Sequence, residues 1–459
     1  MTAQTGTNWT LADLFRDSPV FSPSVEALLS QRVAEVGGPL AEYCRRTGQH
    51  FGVLTISYRE LLAMMRVFGT HVVTKIHQRV IDLLSRELPS ECFVISGQHG
   101  LVVLMLNVNR DEAFQLAIRL ETILCGSFRI DGFDYGVSFV FSTGEYPGYT
   151  AESGMSVAEF HRLYAVYDDE NYEIYKQTGT RVFSITEERF KLLSQIHELD
   201  RQMREDFAAG RFFMHYQPRV ELTTGRVVGA EALMRWDSSD GGPISPGVFI
   251  PIAEKNGFIH SLTPFAVRTV ARALPLLQEK FGPDFTVGAN LSGICIRSRK
   301  LVSVIADCMA EFDVPKGGIE VEITESQLID QRMFVIEQLN ALRKAGVATA
   351  LDDFGTGFSS LHVLTTIPLD YLKLDRSFVS VLTKPPRSKH AAIARSISEM
   401  GKACGLQVIA EGMETEEEVK MLIEEVGCPL GQGYFFAKPM ALDDFLALPP
   451  ALGKLAKAS

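Results

Sequence analysis

In the second half of the chain, short apolar runs recur, and each ends in a polar or charged residue. They read VVGAE to Glu231, VGAN to Asn290, GIEVEITE with Glu322 and Glu325, and VATALDD to the pair Asp352 and Asp353. LDYLKLD with Lys373 and Asp375, LQVIAE to Glu411 and LGQGYFF around Gln432 complete the series. Segments of helical spacing separate them. Runs that short and that apolar read as buried parallel strands. Strand and helix alternate from Phe212 to Leu448, which predicts an α/β domain whose parallel sheet closes as a (β/α)8 barrel of the TIM type. In such a barrel the polar strand ends meet at one rim, where active sites are built.

The first half carries a different order. HFGVLTISY predicts a strand and RELLAMMRVFGTHVVTKIHQRVIDLLSREL one long helix. CFVIS and GLVVLML predict a hairpin around the turn Gly97-Gln98-His99-Gly100, and DEAFQLAIRLETIL a helix. DYGVSFVFS then reads as a strand, AEFHRLYAVYDDENYEIYKQ as a helix and TRVFSI as a closing strand. Strand, helix, hairpin, helix, strand is the split βαβ arrangement, an α+β domain with helices on one face of an antiparallel sheet. Ser184 and Glu187 read as a capping box opening a connecting helix. Its stripe of Phe190, Leu193, Ile196, Met203 and Phe207 is expected to pack on a neighbouring domain, and Gly210 ends it. The expected divisions are an N-terminal extension over 1–36, the α+β domain over 37–185, the connecting helix over 186–210, the barrel over 211–449 and a frayed tail over 450–459.

Composition narrows the partners. The 459 residues are 46% hydrophobic and 22% charged, the balance of a soluble globular protein. A formal net charge of −11 argues against a nucleic-acid duplex or an anionic membrane as main partner. It leaves an anionic small ligand open if metal ions supply the local positive field. The seven cysteines are scattered and lack a CxxC pair, which suits reduced thiols in the cytoplasm. Asp13, Arg16 and Asp17 interrupt any signal-like stretch, and LVVLMLNV is too short to span a bilayer. A cytoplasmic location without membrane insertion is the expectation.

Glu231, Asn290, Glu322, Asp352, Asp353 and Glu411 come from different strands, and all offer oxygen. Oxygen-only donors suit magnesium or manganese rather than zinc. An adjacent Asp352–Asp353 pair can bridge two such ions where strand alternation relaxes, and two ions clamp the attacking and leaving oxygens of a phosphodiester. Lys373, the one cation in the set, can hold the attacking water or the developing charge. Any one of these acids alone could equally be a helix N-cap or a rim ion pair. Six at matching strand ends argue for a site.

The motifs EALMRW (Glu231 to Trp236), NLS (Asn290 to Ser292), EITES (Glu322 to Ser326), DDFGTGFSSL (Asp352 to Leu361), KLD (Lys373 to Asp375), AEGMET (Ala410 to Thr415) and QGYFFAKP (Gln432 to Pro439) resemble the EAL-domain phosphodiesterases. YQP (Tyr216 to Pro218) and SPGVFIPIAE (Ser245 to Glu254) extend the likeness. The resemblance implies hydrolysis of cyclic di-GMP to linear pGpG with two Mg2+ or Mn2+ ions. It implies Glu231, Asn290, Glu322 and Asp352 as ligands of the first ion, and Asp352, Asp353 and Glu411 as ligands of the second. Lys373 would orient the water, and Glu411 is a candidate general base. Gln217, Leu233, Arg235 and Gln432 would contact substrate, while Glu325 would brace the loop after Asp353, which the likeness also implies as a homodimer surface. The one variation is Phe358, where the family often has tyrosine.

The first half resembles, more weakly, the GGDEF diguanylate cyclase domain through VSFVFSTGE (Val137 to Glu145) and YEIYKQTGTRVF (Tyr172 to Phe183). The turn that should read GGDEF reads SGQHG (Ser96 to Gly100), and no carboxylate stands at Ile56-Ser57-Tyr58. A cyclase needs acids at both places to hold metals on a nucleotide triphosphate. No cyclase activity is therefore expected, and regulation of the barrel, with room for a regulatory protein partner, is the expected role. The alternatives are a receptor or adaptor that binds cyclic di-GMP without cleaving it, and a protein-interaction scaffold.

Overall fold

The computed structural model describes residues 33–59, 64, 67–89, 92–96, 100–146, 157–298, 300–324, 332–355, 364, 366–385 and 387–452. Glu325, Phe358, the turn residues Gln98 and His99, and most of residues 1–36 and 453–459 lie outside them. The chain divides into two compact units at Glu198 and Leu199.

In the first unit a helix over Val33–Thr47 precedes β1 (Phe51–Ser57). It runs through Gly37, Gly38 and Pro39, across the boundary expected between 36 and 37, and its Leu40, Ala41 and Cys44 are buried in the core. Tertiary burial here outweighs weak intrinsic propensity. The long helix expected after β1 is interrupted at Gly69, whose φ of 83° lies in the left-handed region, and the next helix is Thr70–Glu87. β2 (Cys92–Ser96) and β3 (Gly100–Leu106) follow, then a helix over Arg110–Leu124 with a complete Asn109–Glu112 capping box.

β4 (Gly126–Ile130) and β5 (Phe133–Val137) form a separate two-stranded hairpin, and β6 (Val140–Tyr146) rejoins the main sheet. The sequence reading ran β5 and β6 together. Asp131 and Gly132 carry φ of 53° and 88°, the geometry of a two-residue hairpin turn. A helix over Val157–Thr178 and β7 (Val182–Ser184) complete the unit.

The sheet order β2-β3-β1-β6-β7, antiparallel except for β6–β7, has the expected split βαβ connectivity. Helices cover both faces rather than one. Leu54, Ile56, Leu101 and Val103 face the helices Thr70–Glu87 and Arg110–Leu124, while Val53, Val102 and Leu104 share a second core with Leu40, Tyr167 and Phe190. Strand alternation thus serves two cores, and β1 is buried along its whole length.

The helix Glu187–Ala208 is capped by Thr186, whose Oγ1 accepts from the Arg189 N–H at 3.2 Å; Ser184 instead closes β7. Its Phe190 and Leu193 lie in the first unit's core, and its Met203 and Phe207 pack in the second's. Gly210, at φ 73°, follows its end as expected.

In the second unit β8 (Phe212–Glu221) and β9 (Val227–Ser238) form a hairpin, with a short β10 (Gly242–Ile244) beside β9. β11 (Thr286–Asn290), β12 (Ile319–Thr324), β13 (Ala348–Phe354), β14 (Tyr371–Leu374), β15 (Gln407–Glu411) and β16 (Leu430–Gln432) then add in parallel. β16 pairs with β8 and closes an eight-stranded barrel. The expected all-parallel barrel is therefore modified: β8 is antiparallel to both neighbours, because a tight turn rather than a crossover helix joins it to β9.

Candidate active site at the barrel rim

The strands place the acids by register. Asn290 on β11 lies level with Glu322 on β12, and Thr324 with Asp352 on β13. Glu411 lies level with Gln432, and on the antiparallel β8 Gln217 faces Glu231. Glu231 is not a strand end, since β9 runs on to Ser238 and carries Leu233 and Arg235 on the same face.

These side chains meet on one ammonium. Lys373, with its side chain 1% exposed, donates to a Glu322 carboxylate oxygen in a very short contact and to Asp352 Oδ2 at 3.2 Å. It also lies 2.7 Å from Glu411 Oε1 and 3.6 Å from Glu231 Oε2. Two amides tie the acids together. Asn290 Nδ2 donates to Glu231 Oε1 at 2.8 Å, and Gln432 Nε2 donates to Glu231 and, at 3.0 Å, to Glu411 Oε1. The structure thus unites Glu231, Asn290, Glu322, Asp352, Lys373, Glu411 and Gln432.

Gln217, Leu233 and Arg235 stand apart from this cluster. Gln217 Nε2 donates to the Ala437 carbonyl at 3.2 Å, and Arg235 Nη1 to the Met234 carbonyl at 2.9 Å. Leu233 and Arg235 line a cavity of about 380 Å³ that also touches Asn290 and Glu322. Such a cavity adjoining the acids is roomy enough for a small ligand.

Asp352 and Asp353 are consecutive, so an unbroken strand would point them to opposite faces. The β13–β14 register shifts between Leu351 and Phe354, and Asp353 has φ 56°, so a bulge breaks the alternation there. The Asp353 N–H donates to Asp352 Oδ1 at 2.9 Å.

The electrostatics are those of a crowded carboxylate site. Burial, then the nearby Glu231 charge, pushes the Glu322 carboxyl well above its ordinary value. Burial pushes Glu411 up to about 8, against the pull of Lys373. For Glu231, burial is outweighed by Lys373 and by the Gln432 and Asn290 amides, and its carboxyl is held below the ordinary value. Burial would discharge Lys373, but its carboxylate neighbours dominate and hold it firmly protonated. Partial burial and then the Asp352 charge raise Asp353.

A further pair lies beneath, which the sequence reading missed. Arg219 Nη1 and Nη2 donate to the Glu320 carboxylate at 2.8 and 3.1 Å, with both side chains sealed from solvent. The signal was present in GIEVEITE: Glu320 precedes Glu322 by two residues and so shares its inward face.

Counting inward groups, four buried carboxylates (Glu231, Glu320, Glu322, Asp352) and the partly exposed Glu411 face two cations. Such an excess of negative charge calls for protons or further cations. The donor set fits hard divalent ions. Glu322 Oε1 and Gln432 Oε1 are moreover buried acceptors without a hydrogen-bond partner among the described residues. As the side chains stand, with the ammonium at the centre of the acids, no group of three or more Asp, Glu, His or Cys among the described residues is arranged around a metal position.

Comparison with known proteins places this barrel. The EAL domain model matches residues 200–439. The bifunctional diguanylate cyclase/cyclic di-GMP phosphodiesterase MucR of Pseudomonas aeruginosa is 28% identical over 407 residues, 88% of this chain and 57% of MucR. The probable cyclic di-GMP phosphodiesterase PdeB of Escherichia coli is 32% identical over 256 residues, 56% of this chain and 48% of PdeB. The chain spans from 29% to 57% of the length of the curated relatives it matches. Among solved structures, the PaMucR phosphodiesterase in complex with c-di-GMP superposes with a TM-score of 0.51 at 31% identity, covering 54% of this chain and 99% of that one. The EAL enzyme Bd1971 with cAMP and cyclic-di-GMP bound superposes with a TM-score of 0.53 at 29% identity, covering 68% of this chain and 80% of that one. Among the described residues no helix is long and apolar enough to cross a membrane.

Proposed function

Because this chain belongs to the EAL-domain family, we propose that it hydrolyses cyclic di-GMP to linear pGpG at the barrel rim. The observation that carries this reading is the convergence of Glu231, Glu322, Asp352 and Glu411 on Lys373. In this proposal Glu231, Asn290, Glu322 and Asp352 would hold one Mg2+ or Mn2+ ion, and Asp352, Asp353 and Glu411 would hold a second. Bound divalent ions supply Lewis-acid polarisation of the phosphodiester and lower the pKa of water.

The chain's own groups do the rest. Arg235 at the cavity wall anchors a phosphate of the substrate, with planar donors matched to its oxygens. Leu233, Gln217 and Gln432 contact the nucleotide. Lys373 stays charged among its acids and orients the attacking water. Glu411, 2.7 Å from Lys373 at the same rim, is the carboxylate placed to take that water's proton. The oxygen of water joins phosphorus as the bond to the 3′ oxygen breaks, and the departing oxygen takes a proton. One molecule of water is consumed, and a 5′-phosphate and a 3′-hydroxyl result.

For the first unit we propose a degenerate GGDEF-like domain over 37–185 that regulates the barrel and has no cyclase activity. The split βαβ connectivity and the match to MucR across both halves support it. Its diagnostic turn residues lie outside the described ones, as do Glu325 and the loop after Gly355, through which homodimerisation is proposed.

Incubation of the purified protein with Mg2+ and cyclic di-GMP should yield pGpG, and Glu231→Ala or Asp352→Ala should abolish it. Binding that survives both substitutions, with no turnover by the parent, would instead mark a receptor.

A further inference from the structure

Below the rim cluster, the next inward layer of the barrel is itself charged. Arg219 descends from β8 and Glu320 lies on β12, three strands away around the barrel, so their pair crosses the lumen. The Arg219 guanidinium also lies over the Tyr371 ring, with Cζ 5.3 Å from its centroid. Both charged side chains are fully buried, and the pair is bidentate, so its geometry is fixed.

The layer touches the rim at one point. Arg219 Nη2, already held by Glu320, lies 3.6 Å from Glu322 Oε1, the carboxylate oxygen with no hydrogen bond of its own. The other oxygen of Glu322 receives Lys373. Gly288 on β11 makes the room: a Cβ there would stand 2.2 Å from Glu322 Oε1 and 3.4 Å from Arg219 Nη2. The Glu322 carboxylate is therefore seated in a notch, with one cation above it and one below.

A buried ion pair is poor evidence of stabilisation, because an apolar replacement of similar volume is often as stable. A pair placed directly under a proposed metal ligand has a second use. We propose that Arg219, fixed by Glu320, is a positioning residue that holds the Glu322 carboxylate in the orientation a divalent ion requires. This rests on the metal-dependent reading of the rim. Arg219 touches no substrate; it acts through Glu322, as outer groups commonly orient metal ligands.

The test is the full-length double variant Arg219→Met, Glu320→Met, which removes one charge of each sign and leaves the net charge unchanged. Mn2+ binding is followed by electron paramagnetic resonance, alongside thermal unfolding and turnover of cyclic di-GMP. Loss of an outer group typically costs ~10–100-fold in metal affinity. The inference predicts a double variant that unfolds like the parent, binds Mn2+ at least ~10-fold more weakly, and loses kcat with KM nearly unchanged. Arg219→Lys, which keeps the charge but not the bidentate fork, should restore less than half of the lost affinity. Mn2+ affinity equal to the parent's in a folded double variant overturns the inference, as does a parent that binds no Mn2+. A parent that binds Mn2+ without hydrolysing the dinucleotide defeats the phosphodiesterase reading alone; the Mn2+ titration still decides the role of Arg219.

Discussion

Lys373→Met removes the ammonium on which three buried carboxylates and the partly exposed Glu411 converge, while leaving a side chain of similar length. In the parent, Glu411 Oε1 lies 2.7 Å away, Asp352 Oδ2 3.2 Å and Glu231 Oε2 3.6 Å, with Glu322 closer still. Deleting one partner of a buried ion pair costs ~3–5 kcal/mol because the other charge is left uncompensated. Four acids left together can relieve that cost by taking up protons, and Glu322 and Glu411 already hold theirs more tightly than an ordinary carboxyl. The penalty should therefore depend on pH. In chelator at about pH 8 the variant should lose ~3–5 kcal/mol, or roughly 6–20 °C of unfolding temperature at the ~2–4 °C per kcal/mol of a domain this size. At about pH 5, well below the value of about 8 to which Glu411 is raised, the loss should shrink to ~1 kcal/mol or less. Added Mn2+ should recover much of the deficit at the higher pH by supplying cations to the same acids. Scanning fluorimetry of full-length parent and variant at both pH values, with and without Mn2+, reads all of this. A deficit of the same size at both pH values, or none at the higher one, would refute the picture of a lysine neutralising a buried acid cluster.

Further outcomes follow from individual contacts. Glu411, with its carboxyl raised from 4.5 to about 8, contributes stability to metal-free protein that is fully present below its ordinary value and is lost as pH rises toward about 8. Stability in chelator, followed by denaturant unfolding, should fall across that window by at most ~5 kcal/mol at 1.36 kcal/mol per pH unit, and Glu411→Gln should flatten the fall. Gly288→Ala would drive a methyl to 2.2 Å from Glu322 Oε1, so it should destabilise by ~1–3 kcal/mol and weaken Mn2+ binding; denaturant titration and the resonance assay check it. Asp206 accepts from the Trp236 indole N–H at 2.9 Å and the Ser239 N–H at 3.2 Å, fastening the end of the helix Glu187–Ala208 to β9. Asp206→Ala should cost ~2–3 kcal/mol in urea unfolding, since it strands a buried donor.

The barrel was legible because its strands are short, apolar and regularly spaced, and each rim residue ends or interrupts such a run. The acids Glu322, Asp352 and Glu411 could be read as inward groups from their place on the strands. What periodicity could not show was direction. β8 is as apolar as its neighbours, and only the short turn after Glu221 reveals that it runs against them. The bulge at Asp353 is a backbone event; the sequence allowed alternation to relax there but could not show the φ of 56°. Arg219 was hidden for another reason. A lone arginine in YQPRVEL reads as a surface charge until closure of the barrel brings Glu320 across the lumen to meet it. In the first unit the Asp131-Gly132 turn pair lies in 125–133, between the predicted helix and the strand DYGVSFVFS, a stretch assigned to neither element. The helix through Gly37-Gly38-Pro39 defied propensity because Leu40 and Cys44 are buried.

Cleavage of cyclic di-GMP in 18O-enriched water, followed by mass spectrometry of the products, tests the central claim most directly. Attack of water on phosphorus predicts linear pGpG carrying one 18O in its 5′-phosphate, formed only with Mg2+ or Mn2+ and lost in Asp352→Ala. Intact cyclic dinucleotide after prolonged incubation with either ion, or labelled pGpG formed as fast by Asp352→Ala as by the parent, would contradict it.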